Sequence, residues 1–230
     1  MRKLKIQKKL SKDQKSLLIG LLIGDGTICS NYVFKLSHAK EQLEYLKWKI
    51  KLLENCNIKT NGIKRYISKC GFNTGKEVIY SQLAIIPTIK ALRRSIYIPN
   101  KTITRNLLNW ITERELAIWY MDDGYININQ SKQRSSIQHT IKISTCTDKS
   151  TVEIIAKYFK EKWNIDFSFW EERPGKYSIK TISEDNVSKF VKIIKPYILQ
   201  VPSLLYKIRK TMTKDEFLFN QNKGLKCETF

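Results

Sequence analysis

The sequence predicts an α+β protein built from two copies of one unit, each running helix, two strands, helix, two strands, helix. Three observations carry that reading. An apolar stretch ending in Asp-Gly occurs twice, at Leu17 to Gly26 and at Leu116 to Gly124. Matching features recur at a nearly fixed interval: Asp25 and Asp123 are 98 positions apart, the Gly-Lys pairs at Gly75 and Gly175 are 100 apart, and the Tyr-Ile pairs at Tyr97 and Tyr197 are 100 apart. Between these landmarks, segments of period two alternate with segments of helical spacing. A constant interval in constant order marks a duplication, and it sets an approximate dyad through the two apolar stretches.

The first stretch, Leu-Leu-Ile-Gly-Leu-Leu-Ile-Gly-Asp-Gly, reads as a helix. Gly20 and Gly24 lie four apart on one face, and each costs roughly 1 kcal/mol against alanine in a helix interior. Close approach of another backbone would offset that cost. Gly26 and Gly124 are placed to end their helices in a left-handed cap, which leaves Asp25 and Asp123 in the last turn. That is the wrong end for a carboxylate, because the carbonyls there carry partial negative charge. A bound cation would resolve the conflict.

Ahead of this helix, residues 1–14 are dominated by Lys and polar side chains and form a basic arm. After it, Tyr32, Phe34 and Leu36 alternate with Val33, Lys35 and Ser37, the period of a half-buried strand. A helix follows from about Glu41, with Leu43, Leu46, Ile50 and Leu53 at helical spacing. Lys64 to Ser68 and Glu77 to Leu83 make a strand pair about a turn at Asn73 to Lys76. Ala84 to Arg94 reads as a short helix, and the basic segment from Lys90 to Thr112 bridges the halves.

The second half repeats the order. A strand at His139 to Thr145 precedes a helix from Asp148 whose apolar stripe is Val152, Ile155, Phe159 and Trp163. Phe167 and Phe169 then face away from Ser168 and Trp170. A turn at Arg173 to Lys176 leads to Lys176, Ser178 and Lys180 alternating with Tyr177, Ile179 and Thr181. Ser183 caps a helix carrying Val187, Phe190, Val191 and Ile194. The expected units are residues 15–108 and 109–210, with a C-terminal tail at 211–230.

Composition narrows the partners. The chain has 230 residues, 42% of them hydrophobic, enough for a real core. Its 42 Lys and Arg against 21 Asp and Glu give a formal net charge of +21, a field that favours nucleic acid over an incidental basic surface or an anionic membrane. The five cysteines, Cys29, Cys56, Cys70, Cys146 and Cys227, include no Cys-x-x-Cys, and His38 and His139 are not spaced as zinc ligands. Reduced thiols in an intracellular protein, in cytoplasm or an organelle matrix, are the simplest reading. The basic start followed by Leu17 to Gly24 mimics a signal peptide, but Asp25 cuts the apolar run and no small-residue cleavage site follows. No stretch is long enough to span a membrane.

The two stretches resemble the LAGLIDADG motif, matched by Leu18, Gly20, Leu21, Asp25 and Gly26, and more loosely by Leu116, Ala117, Asp123 and Gly124. Ile118 and Asp122 stand where the first copy has Gly20 and Gly24, so the helix pair is not symmetric. The form Trp119 to Gly124 is similar to the second motif of single-chain LAGLIDADG homing endonucleases. The resemblance covers roughly Lys15 to Lys210 and implies antiparallel, saddle-shaped sheets with the motif helices packed at the pseudo-dyad. It carries catalytic metal binding onto Asp25 and Asp123, with the carbonyls of Gly24 and Asp122 as further ligands. The Asp122 side chain is read as a structural acceptor. An isolated Asp-Gly often only ends a helix; here the pair is repeated and helix-terminal. Basic residues that complete such sites fall at Lys101 and Lys207, where they would steady the attacking water or the transition-state charge, or lie solvated like other lysines.

Two carboxylates in a strongly basic protein fit a hard cation such as Mg²⁺, which takes oxygen ligands, and metal-assisted phosphodiester hydrolysis. The polar strand faces offer Lys35, Ser37, Lys64, Gln82, Lys142, Ser144, Trp170, Lys176, Ser178 and Lys180 to double-stranded DNA. The resemblance lays these in the major groove, where all four base pairs are distinguishable; half of them would touch only phosphate or nothing. His38 and His139 read as strand or turn residues. The expected function is a monomeric, intron-encoded, Mg²⁺-dependent endonuclease cutting both strands of a long DNA site. The rivals are a maturase that binds intron RNA and assists splicing, and a descendant that only binds DNA.

Overall fold

The computed structural model describes residues 10–69, 74–83, 87–97, 100–130 and 137–225. The first half runs α1 (Lys12–Ile23), β1 (Thr27–Ile28), β2 (Phe34–Ala39), α2 (Leu43–Asn55), β3 (Lys64–Ile67), β4 (Glu77–Gln82) and α3 (Pro87–Ile96). A single turn of helix, α4 (Arg105–Leu108), leads to the second half: α5 (Glu113–Asp123), β5 (Gly124–Gln130), β6 (Ile137–Thr147), α6 (Lys149–Trp163), β7 (Ser168–Arg173), β8 (Lys176–Thr181) and α7 (Glu184–Ile198). Two short 3-10 segments, Pro202–Lys207 and Arg209–Thr211, precede α8 (Lys214–Leu225). Each half thus has the expected order, and each folds into a four-stranded antiparallel sheet, β1-β2-β4-β3 and β5-β6-β8-β7.

The repeat holds in register as well as in order. In β2 the side chains of Phe34, Leu36 and His38 are buried while Lys35, Ser37 and Ala39 are not, the period-two pattern of a sheet with one face on the core. Lys35 pairs with Gln82 and Thr27, and Lys142 pairs with Lys180 and Tyr125, so Lys35 and Lys142 occupy corresponding places. The buried stripe Leu46, Lys49 and Leu53 of α2 corresponds to Val152, Ile155 and Phe159 of α6, each 106 positions on. One continuous apolar cluster takes residues from both halves.

At its centre lie α1 and α5. Every side chain from Leu17 to Ile23 and from Leu116 to Met121 is buried, so neither helix has a solvent face. They lie side by side and run the same way. Ser16 Oγ donates to Glu115 Oε2 at 2.8 Å near their starts, and the Asp25 N–H donates to Asp122 Oδ2 at 3.0 Å at their ends. A Cβ on Gly20 would collide with Glu115, and one on Gly24 with Asp122. The two glycines therefore do serve close approach.

Several local expectations are corrected. Gly26 and Gly124 are not left-handed. Gly124 is extended, at φ −95° and ψ 155°, because α5 runs straight into β5, and the Gly26 N–H bonds back to the Leu21 carbonyl at 2.8 Å. Both are glycine because a Cβ would strike the preceding turn, at Leu21 O or at Tyr120. Asp123 is the last residue of α5, whereas Asp25 lies beyond the end of α1 rather than in its last turn.

The helix start at Ser11, capped by a reciprocal bond with Gln14, takes residues 12–14 out of the arm; residues 1–9 lie outside those described. Tyr32 sits at φ +63°, in the turn ahead of β2 rather than in the strand. The third helix spans Pro87–Ile96, with Ala84 to Ile86 outside the described residues, as are Asn73 of the expected turn and Pro99 of the bridge. Ser183 occupies the N-cap of α7 but its side chain makes no capping bond. The tail carries α8.

Among the described residues, Cys29, Cys56 and Cys146 are free thiols, while Cys70 and Cys227 lie outside them. No helix among the described residues is long and apolar enough to cross a membrane.

Candidate active site

Because α1 and α5 run in the same direction, their two negative ends meet, together with three carboxylates. Burial alone would make this arrangement unfavourable. Three lysines answer it. Lys101 Nζ donates to the Gly24 carbonyl at 2.5 Å. Lys207 Nζ donates to the carbonyls of Asp122, at 3.2 Å, and Gly124, at 3.0 Å. Lys49 Nζ donates to Asp122 Oδ1 at 2.6 Å and Oδ2 at 2.9 Å. Lys101 and Lys207 thus take corresponding carbonyls, one at the end of each motif helix.

Asp25 and Asp123 line one cavity of about 630 Å³ with Gly24, Lys101, Ser144 and Lys176. Displacement of water by the surrounding protein, followed by the charge of Asp122, pushes Asp25 up to about 6 and Asp123 up to about 8. Burial also lowers Lys101 and Lys207, against the pull of the aspartates. Asp122 behaves differently. Burial opposes its ionisation, but Lys49, His38 and the Asp25 N–H outweigh that and hold it below the ordinary carboxylate value. Its two oxygens are committed to Lys49 and the Asp25 N–H.

His38 is a buried strand residue, but it has partners. Its ring lies 5.1 Å from that of Tyr45, its Nδ1 is 3.2 Å from Gln42 Oε1 and 3.7 Å from Asp25 Oδ2, and Lys49 Nζ is 3.2 Å from its Nε2. Burial and Lys49 push it down to about 4, so it is neutral near pH 7. Asp25, His38 and Asp122 have ligand atoms within 4.8 Å of one another. The Lys49 ammonium is already bonded to two of the three and supplies the positive charge there. The pair facing the open cavity, Asp25 and Asp123, is the better place for a metal ion. Their proton-retaining carboxylates and the helix-end carbonyls form an all-oxygen set suited to a hard divalent cation. His139, by contrast, is at the other end of the second sheet, 2.9 Å from the Lys210 carbonyl.

The outward face of the first sheet carries Lys35, Ser37, Lys64 and Gln82, as expected, since cross-strand partners share a face. The same pairing adds Tyr66 and Tyr80, with the Lys35 ammonium 4.6 and 4.4 Å from their ring centroids. In the second sheet Lys142, Lys180 and Trp170 face outward, joined by Tyr125, and Lys142 lies 5.0 Å from the Trp170 ring. Ser144 and Lys176 border the central cavity.

Ser178 is a correction. It is fully buried under a bulge at Thr145 and Cys146, whose N–H groups donate to its Oγ at 3.1 and 3.3 Å, and its hydroxyl donates to Glu172. Alternation gives the face but not the bulge that covers it.

Sequence reading passed over Lys49 and the aromatic partners, and it read His38 as a strand residue without its contacts to Lys49 and Asp25. Tyr66 carried a signal, since it lies two residues from Lys64. Tyr125 sits in β5, hidden because that strand begins at the motif glycine. Lys49 also had a signal, lying three after Leu46 and four before Leu53 on the buried stripe.

The sequence model of the LAGLIDADG DNA endonuclease family matches residues 15–190. "Protein RecA" of Mycolicibacterium flavescens is 24% identical over 212 residues, covering 87% of this chain and 47% of that protein. "Probable intron-encoded endonuclease 1" of Wickerhamomyces canadensis is 33% identical over 106 residues, 44% of this chain and 42% of that protein. "Cytochrome b mRNA maturase bI2" of Saccharomyces cerevisiae is 24% identical, covering 84% of this chain and 46% of that protein. The chain spans about half the length of the curated relatives it matches. Among solved structures, the homing endonuclease I-WcaI bound to its DNA recognition sequence superposes with a TM-score of 0.69 at 23% identity, covering 87% of this chain and 88% of that one. The LAGLIDADG meganuclease I-AabMI bound to uncleaved DNA gives 0.50 at 11% identity, covering 90% and 96%. With the family match spanning most of its length, the chain belongs to the LAGLIDADG DNA endonuclease family.

Proposed function

We propose that this chain is a monomeric, intracellular, intron-encoded homing endonuclease that hydrolyses one phosphodiester in each strand of a long double-stranded DNA site, with Mg²⁺ as its divalent cation. One observation carries the reading. Two carboxylates that hold their protons unusually tightly share an open cavity at the ends of two packed helices, between two outward faces rich in lysine and aromatic side chains. Asp25 and Asp123, with the Gly24 and Asp122 carbonyls, would hold a divalent cation, which when bound would supply an activated water and charge for the leaving oxygen. The chain's own residues do the rest. Lys101 and Lys207 hold positive charge where the phosphate would gain negative charge. Water adds to phosphorus and gives up a proton to solvent as the P–O bond to the leaving sugar oxygen breaks, and that oxygen takes a proton from solvent to leave as a hydroxyl.

The two sheet faces, on units read as 15–108 and 109–210, differ at most positions, which fits an asymmetric site read by one chain. A second reading, an RNA maturase, is favoured by the likeness to the yeast protein of that name. Incubating the chain and Mg²⁺ with a library of randomised long duplexes, then sequencing the cut ends, tests the first reading. Recovery of one preferred site cut in both strands supports it. Absence of cutting, with stimulated splicing of a host intron, would replace it with the second.

A further inference from the structure

Two departures from the internal repeat meet in one contact. Asp122 stands where the first motif has Gly24, and Lys49 stands where the second half has Ile155. Lys49 and Asp122 are bonded to each other with both side chains fully inaccessible. Either charge alone would be buried without a partner, so the two departures depend on one another.

The surrounding bonds give the pair a direction. Lys49 also donates to His38 Nε2, which makes that nitrogen the acceptor and leaves the ring proton on Nδ1, facing Gln42 Oε1. The Tyr45 ring lies 4.2 Å from the ammonium. Held in this way, Asp122 presents Oδ2 to the Asp25 N–H. Asp25 has need of that bond, because it lies past the end of α1, whereas Asp123 lies inside α5. Gly24 has no side chain with which to return the favour.

We propose that Lys49 is a positioning residue for the reaction: through Asp122 it fixes the backbone of Asp25, so that the Asp25 side of the centre depends on α2 and the Asp123 side does not. The proposal rests on the endonuclease reading. Its consequence is a centre whose two strand cleavages respond unequally to loss of the pair.

The test follows nicking of each strand of a separately end-labelled target duplex under single-turnover conditions with Mg²⁺, together with thermal melting of the protein without DNA. The variants are K49M, K49M/D122N and K49M/D122A. K49M strands a buried carboxylate and lowers the melting temperature by about 10 °C. Both double variants remove that charge and recover most of the loss. The amide oxygen of K49M/D122N still accepts the Asp25 N–H, and nothing does so in K49M/D122A. The ratio of the two nicking rates therefore shifts by about tenfold in K49M/D122A and by clearly less in K49M/D122N. Equal slowing of both strands in the two double variants, or wild-type melting of K49M, overturns the proposal while leaving the endonuclease reading in place. A wild-type chain that cuts no duplex overturns both.

Discussion

The ends of the two motif helices correspond in sequence and differ in construction. In the first, Gly24 lets the chain leave α1 before Asp25, and the catalytic candidate is held by a bond from the other half. In the second, α5 continues through Asp122 and Asp123 into β5, and the extra carboxylate is neutralised by Lys49 of the first half. Strand order, helix register and carbonyl-capping lysines all obey the repeat. Within the motif helices the departure lies in a few side chains at the dyad, where two helices compete for the same space. A glycine on one side makes room for an aspartate on the other, and that aspartate requires a buried lysine. Duplication therefore supplies the scaffold, and asymmetry enters where the copies touch.

The largest expected effect comes from the residues that the two ends share. Asp25→Asn and Asp123→Asn each lower double-strand cleavage by about a thousandfold or more, as removal of a group that works as a unit does. DNA binding in gel shifts without Mg²⁺ stays within a few-fold or tightens, since Asp25→Asn removes a charge that repels phosphate while Asp123, which keeps its proton up to about pH 8, has little charge to lose. Asp122→Asn costs less, and cleavage assays on folded variants rank the three. Next in size is the close approach of the helices. Gly24→Ala drives a Cβ into Asp122 and Gly20→Ala drives one into Glu115, and each destabilises by about 1–3 kcal/mol in urea titrations.

A smaller effect separates the two acids by pH. A raised folded-state carboxyl keeps a proton that the unfolded chain releases near 3.8, so metal-free stability falls as pH rises towards the folded value. His38, lowered to about 4 from 6.5, acts with the opposite sign and offsets Asp25 between about 4 and about 6. Asp123 is left to act alone up to about 8. Metal-free melting temperature should therefore decline from pH 6.5 to 8. Asp123→Asn should flatten that decline and Asp25→Asn should not. The smallest effect probes the strand faces: Lys35→Ala and Lys142→Ala each weaken DNA binding and reduce the log-log salt slope by about one. A change in only one of them would break the correspondence of the two sheets.

The order of elements was legible because period two and helical spacing alternate at a fixed interval, and the paired aspartates because each ends an apolar run. Three things were not. β1 and β5 begin within three residues of the motif aspartates, so the apolar run masked them. The cover over Ser178 depends on a register shift in β6, and a bulge leaves no mark on alternation. Lys49 lay on the buried stripe, but a lysine in a chain with 42 basic residues reads as solvated until its carboxylate partner, 73 positions away, is placed beside it.

The central claim is that Asp25 and Asp123, despite their different supports, form one cation-binding centre. Calorimetric titration of Ca²⁺ into the protein bound to its target duplex tests it most directly, with wild type, Asp25→Asn and Asp123→Asn compared at pH 8. The account predicts saturable binding by wild type and at least about tenfold weaker binding by each single variant. Wild-type Ca²⁺ affinity in both variants would contradict it.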